Sequence, residues 1–247
     1  MKEKFLMFVF IMGMILCIML WLNCDMKIKD EPASGPWQMK VEYDYQEGYR
    51  LDDYDNLYGN VEGAFEDAGT EITIFTIEGE PPFLPDDTNF FTPDGLFRYE
   101  RREDFFYTHK TSGLVYYLAS FDGLDINQVK GQLLYWGFTN APPAPNVPPD
   151  PKWSYIFVGD IPDEYYGGCW TKHRHVAYAT IHEFGHQRAG LTHPEEHSQY
   201  HHPTYPCIMH TYYNVTNEVL STMGFCWSSD STSADNCRYF LRQQNQK

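Results

Sequence analysis

The residues His182, Glu183 and His186 form the pattern His-Glu-x-x-His, whose residue types can bind a metal ion and activate water. In a helix, residues four apart lie one turn apart on one face, so both imidazoles can reach one ion at about 2.0–2.1 Å. Glu183 points to an adjacent part of the helix surface, where it can act on a metal-bound water as a general base. We therefore expect two ligands, one base and an open position for substrate.

The segment after this pattern can supply a third ligand. Gly190 stands where the helix should end, and glycine readily adopts the positive φ that reverses the chain. His193 follows and can come back toward the first two histidines. Because zinc needs only three protein ligands here, the remaining nearby histidines are expected to be solvent-exposed or hydrogen-bonded: His173, His175, His201, His202 and His210.

Three motifs taken together resemble the metzincin clan of zinc endopeptidases: His182-Glu183-x-x-His186, Gly190-x-x-His193 and Cys207-Ile208-Met209. The Cys-Ile-Met form and the ending Cys237–Leu241 are similar to the reprolysin branch. The resemblance is strong over 182–210 and weaker over 165–182 and 226–241. It implies one catalytic zinc ion, with Met209 in a turn beneath it, and hydrolysis of peptide bonds.

Two positions differ from the clan's pattern. Three residues separate His186 from Gly190, where the family has two, and Tyr212 stands one position later than the Tyr of many members. The Gly-x-x-His spacing is kept, so the resemblance implies that His193 is the third ligand. His197 is the alternative, and it would need four more residues of loop. Tyr212 is the expected transition-state contact.

An α/β (α+β) fold is expected to position these residues. A helix is predicted over 174–189, with Val176, Ala177, Ile181 and Phe184 as its buried stripe, and another over 51–68. Polar–apolar alternation or β-branched and aromatic content predicts strands over 71–77, 113–121, 132–138 and 153–158. The proline-rich segment 141–151 is expected to be an exposed loop.

The resemblance implies a metzincin-like arrangement of two lobes over 37–247. Residues 37–190 would form a mixed-sheet upper lobe with two main helices and the zinc cleft. Residues 191–247, which contain no clear strand, would form a smaller irregular lower lobe linked by disulfides. In this clan the substrate lies extended along an edge strand, for which 132–138 is the candidate.

Four cysteines follow the N-terminal segment and suggest two disulfides, with three possible pairings: Cys169, Cys207, Cys226 and Cys237. Their spacing lacks the short Cys-x-x-Cys pairs of a structural zinc site. Similarity to reprolysins implies a Cys169–Cys237 bridge, which would leave Cys207 to pair with Cys226.

The N-terminal segment 1–24 contains an uncharged run over 5–22, preceded by Lys2 and Lys4. Three outcomes are open: a cleaved signal peptide, a lipid anchor on Cys24, or an uncleaved membrane anchor. Each sends the rest of the chain across a membrane, because the two lysines favour a cytoplasmic N-terminus. Residues 25–36 are polar and proline-containing, which predicts a linker.

The composition excludes two classes of protein. Hydrophobic residues make up 43% of the 247 residues, which excludes a disordered chain. Lys and Arg number 18 against 34 Asp and Glu, with a net charge of −16 and no basic run, which argues against nucleic-acid binding. We expect a monomer whose partner is a protein or peptide substrate, with membrane contact only through 5–22.

Two other functions stay open from the sequence. A gluzincin-type peptidase would take its third ligand from a second helix, with Glu218 as the candidate. A non-catalytic, zinc-stabilised surface or adhesion domain would keep the fold without turnover. Glu183 argues against that domain, because a structural zinc site has no use for a general base.

Overall fold

The computed structural model describes residues 40–54, 57–68, 75–78, 82–84, 86–125, 136–140, 145–165, 170–195, 207–211, 223–226 and 237–243. All of them belong to the unit Pro36–Lys247, and Met1–Gly35 forms a separate unit. Within these ranges, no helix is both long and apolar enough to cross a membrane. The uncharged run 5–22 lies outside the described residues.

A five-stranded mixed sheet forms the framework of the fold. Its strands are β1 (Lys40–Tyr45), β2 (Phe75–Glu78), β3 (Tyr116–Phe121), β4 (Gly137–Thr139) and β5 (Lys152–Phe157). Their order is β2-β1-β3-β5-β4; the first four run parallel, and β4 runs antiparallel to β5 at the edge. A separate antiparallel pair consists of β6 (Glu164–Tyr165) and β7 (Trp170–Thr171).

Four α-helices are described: α1 (Leu57–Asp67), α2 (Arg102–His109), α3 (Lys172–Ala189) and α4 (Cys237–Gln243). Single 3-10 turns occur at Leu51–Asp53 and Tyr99–Arg101. The predicted mixture of helices with a mixed sheet is confirmed. The predicted continuous helix over 51–68 is wrong in its first part, because a 3-10 turn ends at Asp53 and α1 begins at Leu57.

Helix α3, which carries the His-Glu-x-x-His pattern, is the most extensively buried helix among the described residues. Of its 18 residues, 14 are buried, so the predicted stripe of four apolar residues is too narrow. The reason is that α3 contacts α1 and α4 as well as β4 and β5. Near the helix end, Gln187 Nε2 donates a hydrogen bond to Tyr117 O on β3 at 2.9 Å. This hydrogen bond therefore holds the C-terminal part of α3 against the sheet.

The other face of the sheet is covered by α2 and an aromatic core that includes Phe97, Phe105 and Phe121. Strand β1 is not among the predicted strands, although its polar and apolar residues alternate. Alternation is typical of a strand with one solvent-exposed face, whereas Glu42 and Asp44 on this face of β1 are buried. Glu42 is accommodated by four hydrogen bonds from the backbone and hydroxyl groups of Thr111 and Ser112. Burial alone would raise the pKa of Glu42, but these hydrogen bonds lower it.

Candidate metal centre

Three imidazoles converge at the C-terminal part of α3. His182 and His186 project from the helix, and His193 lies on the loop that follows it. Their Nε2 atoms are separated by 3.0 Å (182 to 186), 3.1 Å (182 to 193) and 3.2 Å (186 to 193). Tetrahedral ligands of a zinc ion lie roughly 3.3 Å apart, so this triangle has nearly the size of three ligand positions.

Hydrogen bonds at the opposite ring nitrogens indicate which nitrogens carry lone pairs. His182 Nδ1 lies 2.8 Å from Ile208 O, and His186 Nδ1 contacts Leu191 O. A carbonyl oxygen only accepts, so each Nδ1 donates and each Nε2 of a neutral ring presents a lone pair to the triangle. Lone pairs that face one another repel, and a cation between them removes that repulsion. These residues therefore fit a metal ion with a preference for nitrogen, such as zinc.

The protonation of His182 agrees with this assignment. Burial lowers the pKa of His182 well below its usual range, and the neighbouring His186 and His193 rings lower it further. The hydrogen bond to Ile208 O acts in the opposite direction but does not outweigh burial. His182 is therefore neutral at pH 7, which is the form that binds metal.

The end of α3 turns the chain back toward the imidazoles. Gly190 adopts φ +63°, and its N–H points at the carbonyl oxygens of Gly185 and His186. The N–H of Gly190 donates to His186 O at 2.8 Å, which is the hydrogen bond of a left-handed (αL) helix end, and the N–H of Leu191 lies 3.4 Å from Gly185 O. The extra residue between His186 and Gly190 is accommodated because the helix simply continues to Ala189.

The turn 207–211 packs beneath this part of α3. Met209 is fully buried, and a Cβ atom built on Gly185 would lie 2.6 Å from its Sδ. Gly185 therefore allows the sulfur to approach the helix one residue from His186. The Tyr178 hydroxyl on α3 also donates to His210 O in the same turn. Tyr212 and His197 lie outside the described residues.

Sequence reasoning does not anticipate two contacts of the centre. Glu183, which is 2% exposed, accepts a hydrogen bond from Thr139 on β4. Glu195, two residues after His193, lies 2.8 Å from His210 Nδ1 and accepts from Thr211 Oγ1 at 3.2 Å. The loop that carries His193 is thereby tied to the turn that carries Met209. No local pattern signals either contact, since the partners lie far apart in the chain.

The other histidines that were expected to be non-ligands are placed as follows. His175 Nδ1 lies 3.1 Å from Thr171 O, and the His173 ring stands edge-on to Tyr54 at 5.4 Å. His201 and His202 lie outside the described residues.

Three cysteines form a second group that could hold a metal ion. Cys207, Cys226 and Cys237 are buried, and their sulfur atoms lie within 4.8 Å of one another. Burial raises the pKa of the Cys207 and Cys237 thiols well above the ordinary value. Cys169 lies outside the described residues, so the bridges expected from the reprolysin resemblance stay predictions.

Comparisons with known proteins show the fold. No family model and no curated protein match the sequence. Among solved structures, archaemetzincin from Methanopyrus kandleri matches with a TM-score of 0.51 and 14% sequence identity, covering 87% of this chain and 99% of that chain. The chain therefore has a fold similar to that of archaemetzincin, which agrees with the metzincin-like fold implied by the sequence motifs.

Proposed function

We propose that the protein is a zinc-dependent endopeptidase whose metal ligands are His182, His186 and His193. The observation that carries the proposal is the convergence of three Nε2 atoms within 3.2 Å of one another beside a buried glutamate. The fold similar to that of archaemetzincin supports it. The gluzincin alternative depended on Glu218, which lies outside the described residues.

Each residue of the centre would have a separate task. Zinc, when bound, supplies a Lewis acid that lowers the pKa of water toward ~7 and polarises the scissile carbonyl. Glu183 would accept the proton of the attacking water and deliver it to the leaving amine. The backbone carbonyls of Ile208 and Leu191 hold the rings of His182 and His186 in the ligand tautomer.

A protein or peptide would bind extended along the side of β4 that faces away from β5, where none of the described residues pairs with the strand. This strand ends the sheet, pairs with β5 on its other side, and contacts α3. An added peptide strand would hydrogen-bond to the β4 backbone and place its scissile bond above the helix. The sequence predicts this edge strand over 132–138. Residues 137–139 form β4, and 132–135 lie outside the described residues.

Branch, location and assembly are proposed from the sequence. The Cys-Ile-Met motif supports the reprolysin branch, with Met209 beneath the metal and Tyr212 as the transition-state contact. The uncharged run over 5–22, preceded by two lysines, supports secretion or anchoring on the extracytoplasmic face of a membrane. The net charge of −16 and the absence of a basic run argue against a nucleic-acid partner. We also propose a monomer that contacts a membrane only through 5–22.

The test is hydrolysis of casein by the purified chain, with and without a chelator, followed by addition of zinc. We expect chelator-sensitive cleavage that zinc restores. Glu183→Gln should keep its zinc while turnover falls by ~10² or more, because the amide cannot accept the proton. Turnover within about threefold of wild type would remove Glu183 from the mechanism. One bound zinc without any chelator-sensitive hydrolysis would favour the binding domain.

A further inference from the structure

The carboxylate of Glu183 is held by a hydroxyl group from the edge strand. Thr139 Oγ1 lies 2.6 Å from Glu183 Oε2 and 3.1 Å from the backbone carbonyl oxygen of the same residue. Thr139 is the last residue of β4 and is 8% exposed, while Glu183 is 2% exposed. Little water competes for this contact, so the hydrogen bond restrains the carboxylate more strongly than an exposed one would.

The direction of this hydrogen bond follows from chemistry. Carboxylate and carbonyl oxygens only accept, so Thr139 must use its one hydroxyl hydrogen on Glu183. Ser154 Oγ lies 2.8 Å from Thr139 Oγ1, and the two residues are paired in the register of β4 and β5. Because Thr139 has no second hydrogen to give, Ser154 donates to Thr139. The result is a directed chain from Ser154 through Thr139 to Glu183.

We propose that Thr139 is a positioning residue for the general base, an inference that rests on the proposed peptidase function. A glutamate side chain has three rotatable bonds, and its carboxylate must meet the attacking water within hydrogen-bonding distance. The hydrogen bond on Oε2 restrains these rotations. Thr139 also belongs to the strand along which the substrate would lie, so β4 would position both the general base and the substrate.

Thr139→Val removes the donor and keeps the shape of the side chain. We expect kcat to fall by roughly 10- to 100-fold, as for a misplaced catalytic group, with zinc content unchanged and KM within about twofold. Thr139→Ser keeps the hydroxyl and should stay within about threefold of wild type.

Thr180→Val is the matched control. Thr180 is a buried residue of α3 and lies one turn before Glu183 along the helix. Its hydroxyl donates to Val176 O at 2.8 Å. The variant removes a buried hydroxyl from the same helix without touching the general base. We expect its kcat and KM to equal those of wild type.

A second readout does not depend on turnover. Acetohydroxamate binds zinc and gains affinity from a carboxylate that accepts its proton, so calorimetric titration of the zinc-loaded full chain reports on Glu183. Glu183→Gln and Thr139→Val should each weaken binding, the latter by at least ~5-fold, and Thr139→Ser should not. If Thr139→Val does not fold, Thr139→Ala replaces it in both assays.

The two proposals fail in different ways. The role of Thr139 is overturned if Thr139→Val has the turnover and the hydroxamate affinity of wild type. It is also overturned if Thr139→Ser loses as much turnover and affinity as Thr139→Val. In both cases the peptidase proposal stands. Hydroxamate affinity that is insensitive to Glu183→Gln, or a chain that binds no zinc, overturns the proposed function and this inference together.

Discussion

Replacement of Gly190 by alanine tests whether the geometry at the end of α3 supports the metal centre. Gly190 adopts φ +63°, in the left-handed region that L-residues rarely occupy. A Cβ atom at this position would lie 2.6 Å from Val147 N and closer still to the Val147 carbonyl group. The neighbour is backbone rather than a flexible side chain, and the loop is held in place by a 2.8 Å hydrogen bond from Asn146 N to Gly190 O.

The expected loss of stability is a sum of two contributions. The left-handed conformation costs an alanine about 1–2 kcal/mol relative to glycine. The close contact with the Val147 backbone adds about 1–3 kcal/mol, as for overpacking in a core. The free energy of unfolding should therefore fall by roughly 2–5 kcal/mol, which lowers Tm by about 5–15 °C for a domain of this size. Zinc affinity should also fall, because Gly190 lies between His186 and His193.

Two other glycines separate these contributions. Gly48 has φ +87° and nothing within 4 Å of an added Cβ, so Gly48→Ala measures the conformational cost alone. Gly63 lies in α1 with open space and ordinary φ, so Gly63→Ala should leave stability unchanged or raise it by up to ~1 kcal/mol. Urea unfolding and competition with a zinc chelator are the assays. If Gly190→Ala loses no more stability than Gly48→Ala, the contact with Val147 does not constrain the turn.

Three further predictions concern other parts of the chain. Glu42→Gln should lower stability by roughly 2–3 kcal/mol at pH 7, since the amide cannot accept all four hydrogen bonds. The pKa of Glu42 is lowered in the fold, so the stabilisation by its carboxylate is present above about pH 4–5 and is lost as the pH falls. In urea unfolding, the difference in stability between wild type and Glu42→Gln should therefore be smaller at pH 3.5 than at pH 7. His193→Ala should lose zinc on dialysis and His197→Ala should retain it, and the reverse would place the third ligand at His197. Non-reducing peptide mapping should yield a Cys169–Cys237 peptide and a Cys207–Cys226 peptide, and a Cys169–Cys207 peptide would refute that pairing.

The parts of the centre that depend on local spacing are predictable from the sequence. His182, Glu183 and His186 lie on one helix, so the helical repeat alone determines their relative positions. Gly190 is predictable for a similar reason, because a left-handed helix end favours glycine over all other residues.

The parts that depend on tertiary packing are not predictable in this way. Thr139 lies 44 residues from Glu183, and the two meet only because β4 runs antiparallel to β5 at the edge beside α3. The burial of α3 on most sides arises from its neighbours and not from its own mixture of polar and apolar residues. Glu42 appears in the sequence as a surface residue, and its burial depends on the hydroxyl and amide groups of Thr111 and Ser112 and on Lys110, whose Nζ lies 4.0 Å from Glu42 Oε2.

The division of the ligands between α3 and the loop after it determines how metal can leave the protein. His182 and His186 belong to the most buried helix, whose amides should exchange with solvent only when the whole domain unfolds. His193 belongs to the segment 190–195, which is held by the turn at Gly190 and by the contacts of Glu195 with the Met209 turn. Local opening of this loop requires far less free energy than global unfolding. If the chain binds zinc as proposed, we expect release of the metal to be controlled by the stability of residues 190–195 and to proceed while the sheet and α3 remain folded.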